Sequence, residues 1–119
     1  MAAKKRQLKP RPSVPPAAVG YADVKHHDLS MFVEWMRDRS NSSADLKKVL
    51  AKLEMLKANG IQWARPHVNH IDGTLWELKV RGDDTHRVYF RHEPPHARCV
   101  LYGTKNGQKA DIERAKGIV

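Results

Sequence analysis

The chain has 119 residues, which suits a single domain with a modest core, and its formal net charge is +9. The single cysteine, Cys99, excludes an internal disulfide, and no segment approaches the roughly 20 apolar residues that a membrane span needs. A basic excess of this kind favours contact with nucleic acid, the ribosome or an acidic protein. We expect a cytoplasmic protein with no membrane association.

Residues 1–16 contain five basic residues, four prolines and no acidic residue. This composition cannot bury a core, so it predicts a disordered basic arm ahead of a domain over residues 17–119. The arm could contact an RNA backbone or act as a solubilising tail, and the sequence leaves both readings open. Residues 17–25 are expected to form a short first strand.

Two helices are predicted next. The first is capped by Asp28 or Ser30 and runs to about Arg39. Residues 40–43 interrupt the pattern and cap a second helix, which Gly60 ends. The apolar stripe of the second helix is built by Leu46, Val49, Leu50, Leu53 and Leu56.

Residues 61–73 are predicted to be a connection that carries His67 and His70. A hairpin follows, because residues 75–81 and 86–91 alternate apolar and polar side chains around a Gly82-Asp83-Asp84 turn. Alternate residues of a strand share a face. One face of this hairpin is apolar, with Trp76, Leu78, Val80, Val88 and Phe90; the other holds Glu77, Lys79, Arg81, Arg87, Tyr89 and Arg91.

Pro94-Pro95 predicts a turn, residues 97–103 a further strand that buries Cys99, and residues 109–119 a short amphipathic helix. The order (β)-α-α-β-β-β-α indicates an α+β fold. We expect a mainly antiparallel sheet, two N-terminal helices packed on one face, and a short C-terminal helix.

The motifs exclude several chemistries. Seven histidines occur without a metal-ligand spacing, and no phosphate-binding glycine loop is present, so neither a metal nor another cofactor is expected. Metal-free cleavage of RNA remains open, because Lys79, Arg81, Arg87 and Arg91 supply positive charge, His67 or His70 could move a proton, and Tyr89 could stack on a base. The alternative is structural: Glu77 and Lys79 could pair with Arg87 and Arg91 across the hairpin, while His86 and His92 pack at strand ends.

The hairpin sequence LWELKVR, followed by THRVYF, resembles the core of RelE/ParE-superfamily toxins, most closely the HigB-like, phage-derived branch of type II toxin–antitoxin systems. The segment KNGQK followed by IERA is similar to the loop and final helix of that branch. The resemblance covers roughly residues 29–119. It departs from the branch at Gly103-Thr104, where Gly-Phe is common.

The resemblance implies a RelE-like fold and a toxin that cleaves mRNA on the ribosome. It also implies catalytic roles for Arg87, Lys79, His67 or His70, and Tyr102. RNA-binding roles are implied for Lys105 and Lys109 beside Arg81, Tyr89 and Arg91. The implied partner is an antitoxin with a helix-turn-helix DNA-binding domain.

Two other functions remain open at this point. ParE-type members share the fold and inhibit DNA gyrase by binding, so fold transfers more safely than activity. A phage-derived RNA- or protein-binding module without toxicity is the second alternative.

Overall fold

The computed structural model describes residues 20–63 and 67–119. The basic arm predicted for residues 1–16 lies outside the described residues, as do residues 17–19 of the predicted first strand. No helix within the described ranges is long and apolar enough to cross a membrane.

The described residues form a five-stranded sheet and three α-helices. The strands are β1 (Asp23–His26), β2 (Val68–Asp72), β3 (Leu75–Arg81), β4 (Thr85–Glu93) and β5 (His96–Thr104). The helices are α1 (Leu29–Arg37), α2 (Ser43–Asn59) and α3 (Gln108–Lys116), with short 3-10 turns at Gly60–Gln62 and Lys105–Gly107. The strand order is β1-β5-β4-β3-β2. Because β1 pairs with β5 in parallel and every other pair is antiparallel, the sheet is mixed.

The prediction of a plain connection over residues 61–73 was wrong, because this interval contains β2. The strand lies at the edge of the sheet and pairs only with β3. Its five residues include two that are exposed, His70 and Asp72. A short edge strand of this composition carries little apolar alternation, which is why the sequence pattern did not reveal it.

The predicted caps of the first two helices are confirmed. The side chain of Asp28 accepts a hydrogen bond from the N–H of Met31, and that of Ser42 accepts one from the N–H of Asp45. Gly60 ends α2 with φ of 64°, in the left-handed region that glycine adopts without strain. Helix α1 ends at Arg37, two residues earlier than expected.

The first core lies between the sheet and helices α1 and α2, on what we call the α1–α2 face. It combines the predicted apolar face of the hairpin with Val49, Leu53 and Leu56 of α2. Cys99 is fully buried in this core, as predicted. His86 and His92 also pack there, since His86 is buried and His92 Nδ1 lies 2.6 Å from the hydroxyl of Tyr21.

A second core lies on the opposite side of the sheet, the α3 face. Helix α3 packs Ala115 and Ile112 against Leu75, Tyr89 and neighbouring β5 residues. The sequence predicted a polar, basic face on this side of the hairpin, whereas α3 covers the centre of that face. At its β2–β3 edge, Arg81 is exposed and Lys79 is partly exposed. The cause of the coverage is the apolar content of this face: Leu75 and Leu101 are removed from water when α3 packs on them, which stabilises the fold.

Asp45 joins α2 to the hairpin turn. Its carboxylate accepts hydrogen bonds from the N–H groups of Asp83 (2.8 Å) and Asp84 (3.0 Å), and it lies 2.9 Å from His86 Nε2. Gly82 is needed beside it, because a Cβ there would stand 2.0 Å from the Asp45 carboxylate. The two backbone bonds, supported by His86 and opposed by burial, hold the pKa of Asp45 well below its usual value.

We predict that Asp45→Asn lowers the melting temperature at neutral pH, and that the melting temperature of this variant falls less than that of the wild type as the pH is lowered. A carboxylate whose pKa is lowered by folding stabilises the fold above its ordinary pKa of 3.8, and this stabilisation is lost as the pH falls through the folded value. Thermal denaturation between about pH 2 and pH 7 measures the effect. Asp83→Asn, which alters an exposed side chain of the same turn, is the control. Equal acid sensitivity in the wild type and Asp45→Asn would contradict this role.

Candidate functional site

A row of residues crosses the α3 face from the β2 edge towards β5. The N–H of Lys79 donates to the carbonyl of His67 at 2.8 Å, Lys79 pairs with Arg87, and Arg87 pairs with Gly103. Paired residues on neighbouring strands direct their side chains to the same face. Lys79 and Arg87 therefore lie side by side, as the alternation of the hairpin predicted.

A cavity opens at the edge end of this row. Lys52, His67, Lys79 and Arg81 line it, and its volume is about 120 Å³. One water needs only about 10–15 Å³ of such space, so the cavity has room for several waters or for a phosphate group. We call this cavity the edge pocket.

Three segments of the chain meet at the edge pocket. Lys52 comes from α2, Lys79 and Arg81 come from β3, and His67 precedes β2. The ring of His67 stacks on Trp63 with centroids 4.4 Å apart, and its Nδ1 lies 3.1 Å from Lys52 Nζ. Burial, and then the charge of Lys52, lower the pKa of His67 from its ordinary value, which favours the neutral imidazole.

The edge pocket has an uncompensated positive charge. Four other basic side chains of the described residues do pair with carboxylates, as Arg87–Glu77, Arg98–Glu93, Arg114–Asp111 and Lys116–Glu113. None of the ion pairs found in those residues involves Lys52, Lys79 or Arg81. Cations that converge without a carboxylate attract an anion, and the concave wall strengthens their field.

Arg87 lies deeper than its neighbours in the row. It is 8% exposed and its Nη1 donates to Glu77 Oε1 at 2.8 Å, while Gln108 Nε2 donates to Glu77 Oε2 at 2.9 Å. The cross-strand ion pair considered from the sequence is thus present between Glu77 and Arg87. In the free protein, the charge of Arg87 is compensated inside the sheet rather than offered to solvent.

Helix α3 covers the polar groups next to this pair. Tyr89 is fully buried against Leu75 and Ala115, and no group in residues 20–63 or 67–119 hydrogen-bonds to its hydroxyl. Burial, with the Glu77 carboxylate nearby, raises the pKa of Tyr89. Tyr89 therefore does not present the open stacking surface that the sequence suggested.

A comparison with known families places the chain. Residues 34–117 match the family described as Phage derived protein Gp49-like (DUF891), from within α1 to just beyond α3. The chain belongs to the phage-derived Gp49-like family. This family is RelE/toxin-like, which confirms the sequence resemblance at that level. No curated protein matches the chain.

The remaining basic residues of this Gp49-like protein have different surroundings. Arg91 binds the C-terminal end of α3: its guanidinium donates hydrogen bonds to the carbonyls of Lys116 and Ile118, and also to the Thr74 hydroxyl. Lys105 and Lys109 are exposed at the start of the C-terminal segment. Arg91 therefore anchors a helix instead of extending the basic surface.

Two predicted site residues lie away from the row. His70 pairs with Trp76 in the register, and the two rings are tilted by 55° with their centroids 4.8 Å apart. His70 Nε2 lies 2.8 Å from the Gly73 carbonyl oxygen. Tyr102 is buried on the α1–α2 face, where it contacts His26 and stacks with Trp35. The structure thus brings His67 together with Lys79 and Arg81, and brings neither His70 nor Tyr102 to them.

Lys52 is the pocket residue that sequence reasoning missed. It stands beside Leu53 in α2, where a lysine is typical of a solvated helix face. Only the packing of α2 over the sheet edge brings it to His67, which lies 15 residues later. Within residues 20–63 and 67–119, no group of three or more His, Cys, Asp or Glu is arranged to hold a metal ion.

We predict that Arg87→Met destabilises the fold by about 3–5 kcal/mol, because it leaves the buried Glu77 carboxylate without its partner. The sequence placed Arg87 on the polar face of the hairpin, and the structure shows that its side chain is buried there. The double variant Glu77→Gln/Arg87→Met removes both charges and should recover most of the loss. Urea denaturation measures the free energy of unfolding of all three proteins. Equal stability of Arg87→Met and wild type would refute the coupling.

Proposed function

We propose that this Gp49-like protein is the toxin of a type II toxin–antitoxin system that cleaves mRNA on the ribosome without a metal. The observation that carries the proposal is the edge pocket, where Lys52, Lys79 and Arg81 converge without a carboxylate. The membership in a RelE/toxin-like family supports the same reading. The HigB-like branch is the one whose hairpin the chain resembles.

The proposed reaction uses the RNA's own 2′-hydroxyl. Its oxygen attacks the adjacent phosphorus as the 2′ proton leaves, the bond from phosphorus to the 5′ oxygen breaks, and that oxygen takes up a proton. The products are a 2′,3′-cyclic phosphate and a 5′-hydroxyl. Negative charge builds on the phosphate oxygens in the transition state, so fixed cations accelerate the step.

We assign that charge stabilisation first to Lys79 and Arg81. Both line the edge pocket and neither is engaged by a carboxylate in the ion pairs of the described residues. Arg87 lies next to Lys79 in the row, but Glu77 holds it at 2.8 Å. We propose that a bound phosphate competes with Glu77 for Arg87, so Arg87 adds its charge once RNA is in place.

We predict that Lys79→Ala and Arg81→Ala each lower the cleavage rate by about a hundredfold and relieve growth arrest, because each removes a positioned charge. Both side chains are at least partly exposed, so melting temperatures should stay close to wild type. Lys57→Ala, an exposed lysine elsewhere on α2, is the charge-matched control and should remain toxic. Primer extension on mRNA from induced cells measures cleavage.

The same induction distinguishes the alternative functions. Growth arrest with intact mRNA and accumulating DNA breaks would overturn the nuclease proposal in favour of gyrase inhibition. Normal growth on induction would instead favour a non-toxic binding module.

We also propose a protein partner, an antitoxin with a helix-turn-helix DNA-binding domain. A cationic pocket on a nuclease needs an acidic cover, and opposite charge gives fast, salt-sensitive association. Co-expression with such an antitoxin should restore growth. When the two purified proteins are mixed in a stopped-flow instrument, Arg81→Glu should slow their association severalfold at low salt and much less at high salt. Restored growth without a complex between the two proteins would contradict the proposed neutralisation.

A further inference from the structure

The imidazole of His67 is held on two sides. Its ring is nearly parallel to Trp63, with 16° between the planes, and Lys52 Nζ lies 3.1 Å from Nδ1. Lys52 also stands 4.9 Å from the centre of the Trp63 ring. The three side chains form one contact group, so the orientation of His67 is determined before any ligand arrives.

The partner at Nδ1 determines where the ring carries its hydrogen. A lysine ammonium has three N–H donors and no acceptor, so the nitrogen that faces it must offer a lone pair. A neutral imidazole has one N–H and one lone pair. With Nδ1 accepting from Lys52, the hydrogen stands on Nε2.

The surroundings of His67 also oppose a second proton. Among the residues that the structure describes, the charged groups that line the edge pocket with it are Lys52, Lys79 and Arg81, all positive, and none is a carboxylate. A positive imidazole would add a fourth charge of the same sign within a small space. The lowered pKa of His67 agrees with this geometry.

We propose that Lys52 is a positioning residue that fixes His67 in the neutral form with hydrogen on Nε2, and that His67 uses this N–H to bind a phosphate oxygen in the edge pocket. Here His67 is a hydrogen-bond donor and is not the general base of the reaction. A base needs a free lone pair, whereas Nδ1 is engaged by Lys52 and Nε2 carries the hydrogen. The identification of the phosphate as RNA rests on the proposed function.

The tautomer can be observed without any cleavage assay. Two-bond ¹H–¹⁵N spectra of the purified full-length chain at neutral pH should show the Nε2–H pattern for His67. Lys52→Met should give a mixture of the two tautomers, and Lys52→Arg, which still donates to Nδ1, should restore the single form. Lys48→Met, an exposed lysine one turn earlier in α2, is the control and should resemble wild type. An Nδ1–H pattern in the wild type would overturn the proposal.

The donor role is tested with inorganic phosphate as the probe. His67→Gln keeps an N–H donor but has no titrating ring. The dissociation constant of phosphate from this variant should therefore stay within about threefold of the wild-type value. His67→Ala loses a hydrogen bond to an anion and should bind about 10–100-fold more weakly. Equal losses in both variants, or no phosphate-induced shift at His67, would overturn the donor role.

The same variants separate this inference from the proposed function. If the chain cleaves RNA, His67→Gln should remain active and the rate should show no titration attributable to His67. An inactive His67→Gln that still binds phosphate would make His67 a proton-transfer residue and refute the inference. A chain that binds phosphate with the expected tautomer but cuts no RNA would refute only the proposed function.

Discussion

The buried Asp45 carboxylate is the interaction on which the arrangement of the site depends. It binds the two consecutive N–H groups of Asp83 and Asp84 and contacts His86, so it ties the first turn of α2 to the end of the β3–β4 hairpin. Residues seven apart on a helix lie on the same side, two turns along. The anchor at Asp45 therefore sets where Lys52 meets the sheet edge.

This anchor combines two parts of the chain with different roles. Hairpin residues Lys79 and Arg81 bring charge to the α3 face, and Lys52 adds charge from α2 around the edge of β3. Strand β2 begins at Val68, and the N–H of Lys79 donates to the carbonyl of His67 just before that strand. At this edge, helix α2 contributes Lys52 to the cavity that Lys79 and Arg81 also line.

Helix α3 divides the basic surface into two electrostatic environments. Under its first turn, Arg87 and Glu77 are buried together and Gln108 completes the carboxylate's hydrogen bonds. At the edge, Lys52, Lys79 and Arg81 keep their contact with solvent, and no carboxylate in the described part of the chain forms an ion pair with them. Burial strengthens the attraction between Arg87 and Glu77, although desolvation of both charges limits the net stabilisation. Arg87 is thus already engaged by a carboxylate, whereas the cations of the edge pocket are free to bind an anion.

The sequence by itself determined the local parts of this protein. Alternation in the hairpin placed Lys79 and Arg87 on one face, because side-chain direction along a strand has a period of two, and the caps at Asp28 and Gly60 followed from local hydrogen bonding. Only the tertiary structure decided that α3 covers Tyr89, that Glu77 compensates Arg87, and that Lys52 rather than His70 joins His67. Each of these depends on which distant segments pack together, and that packing is a property of the whole core rather than of any short stretch of residues.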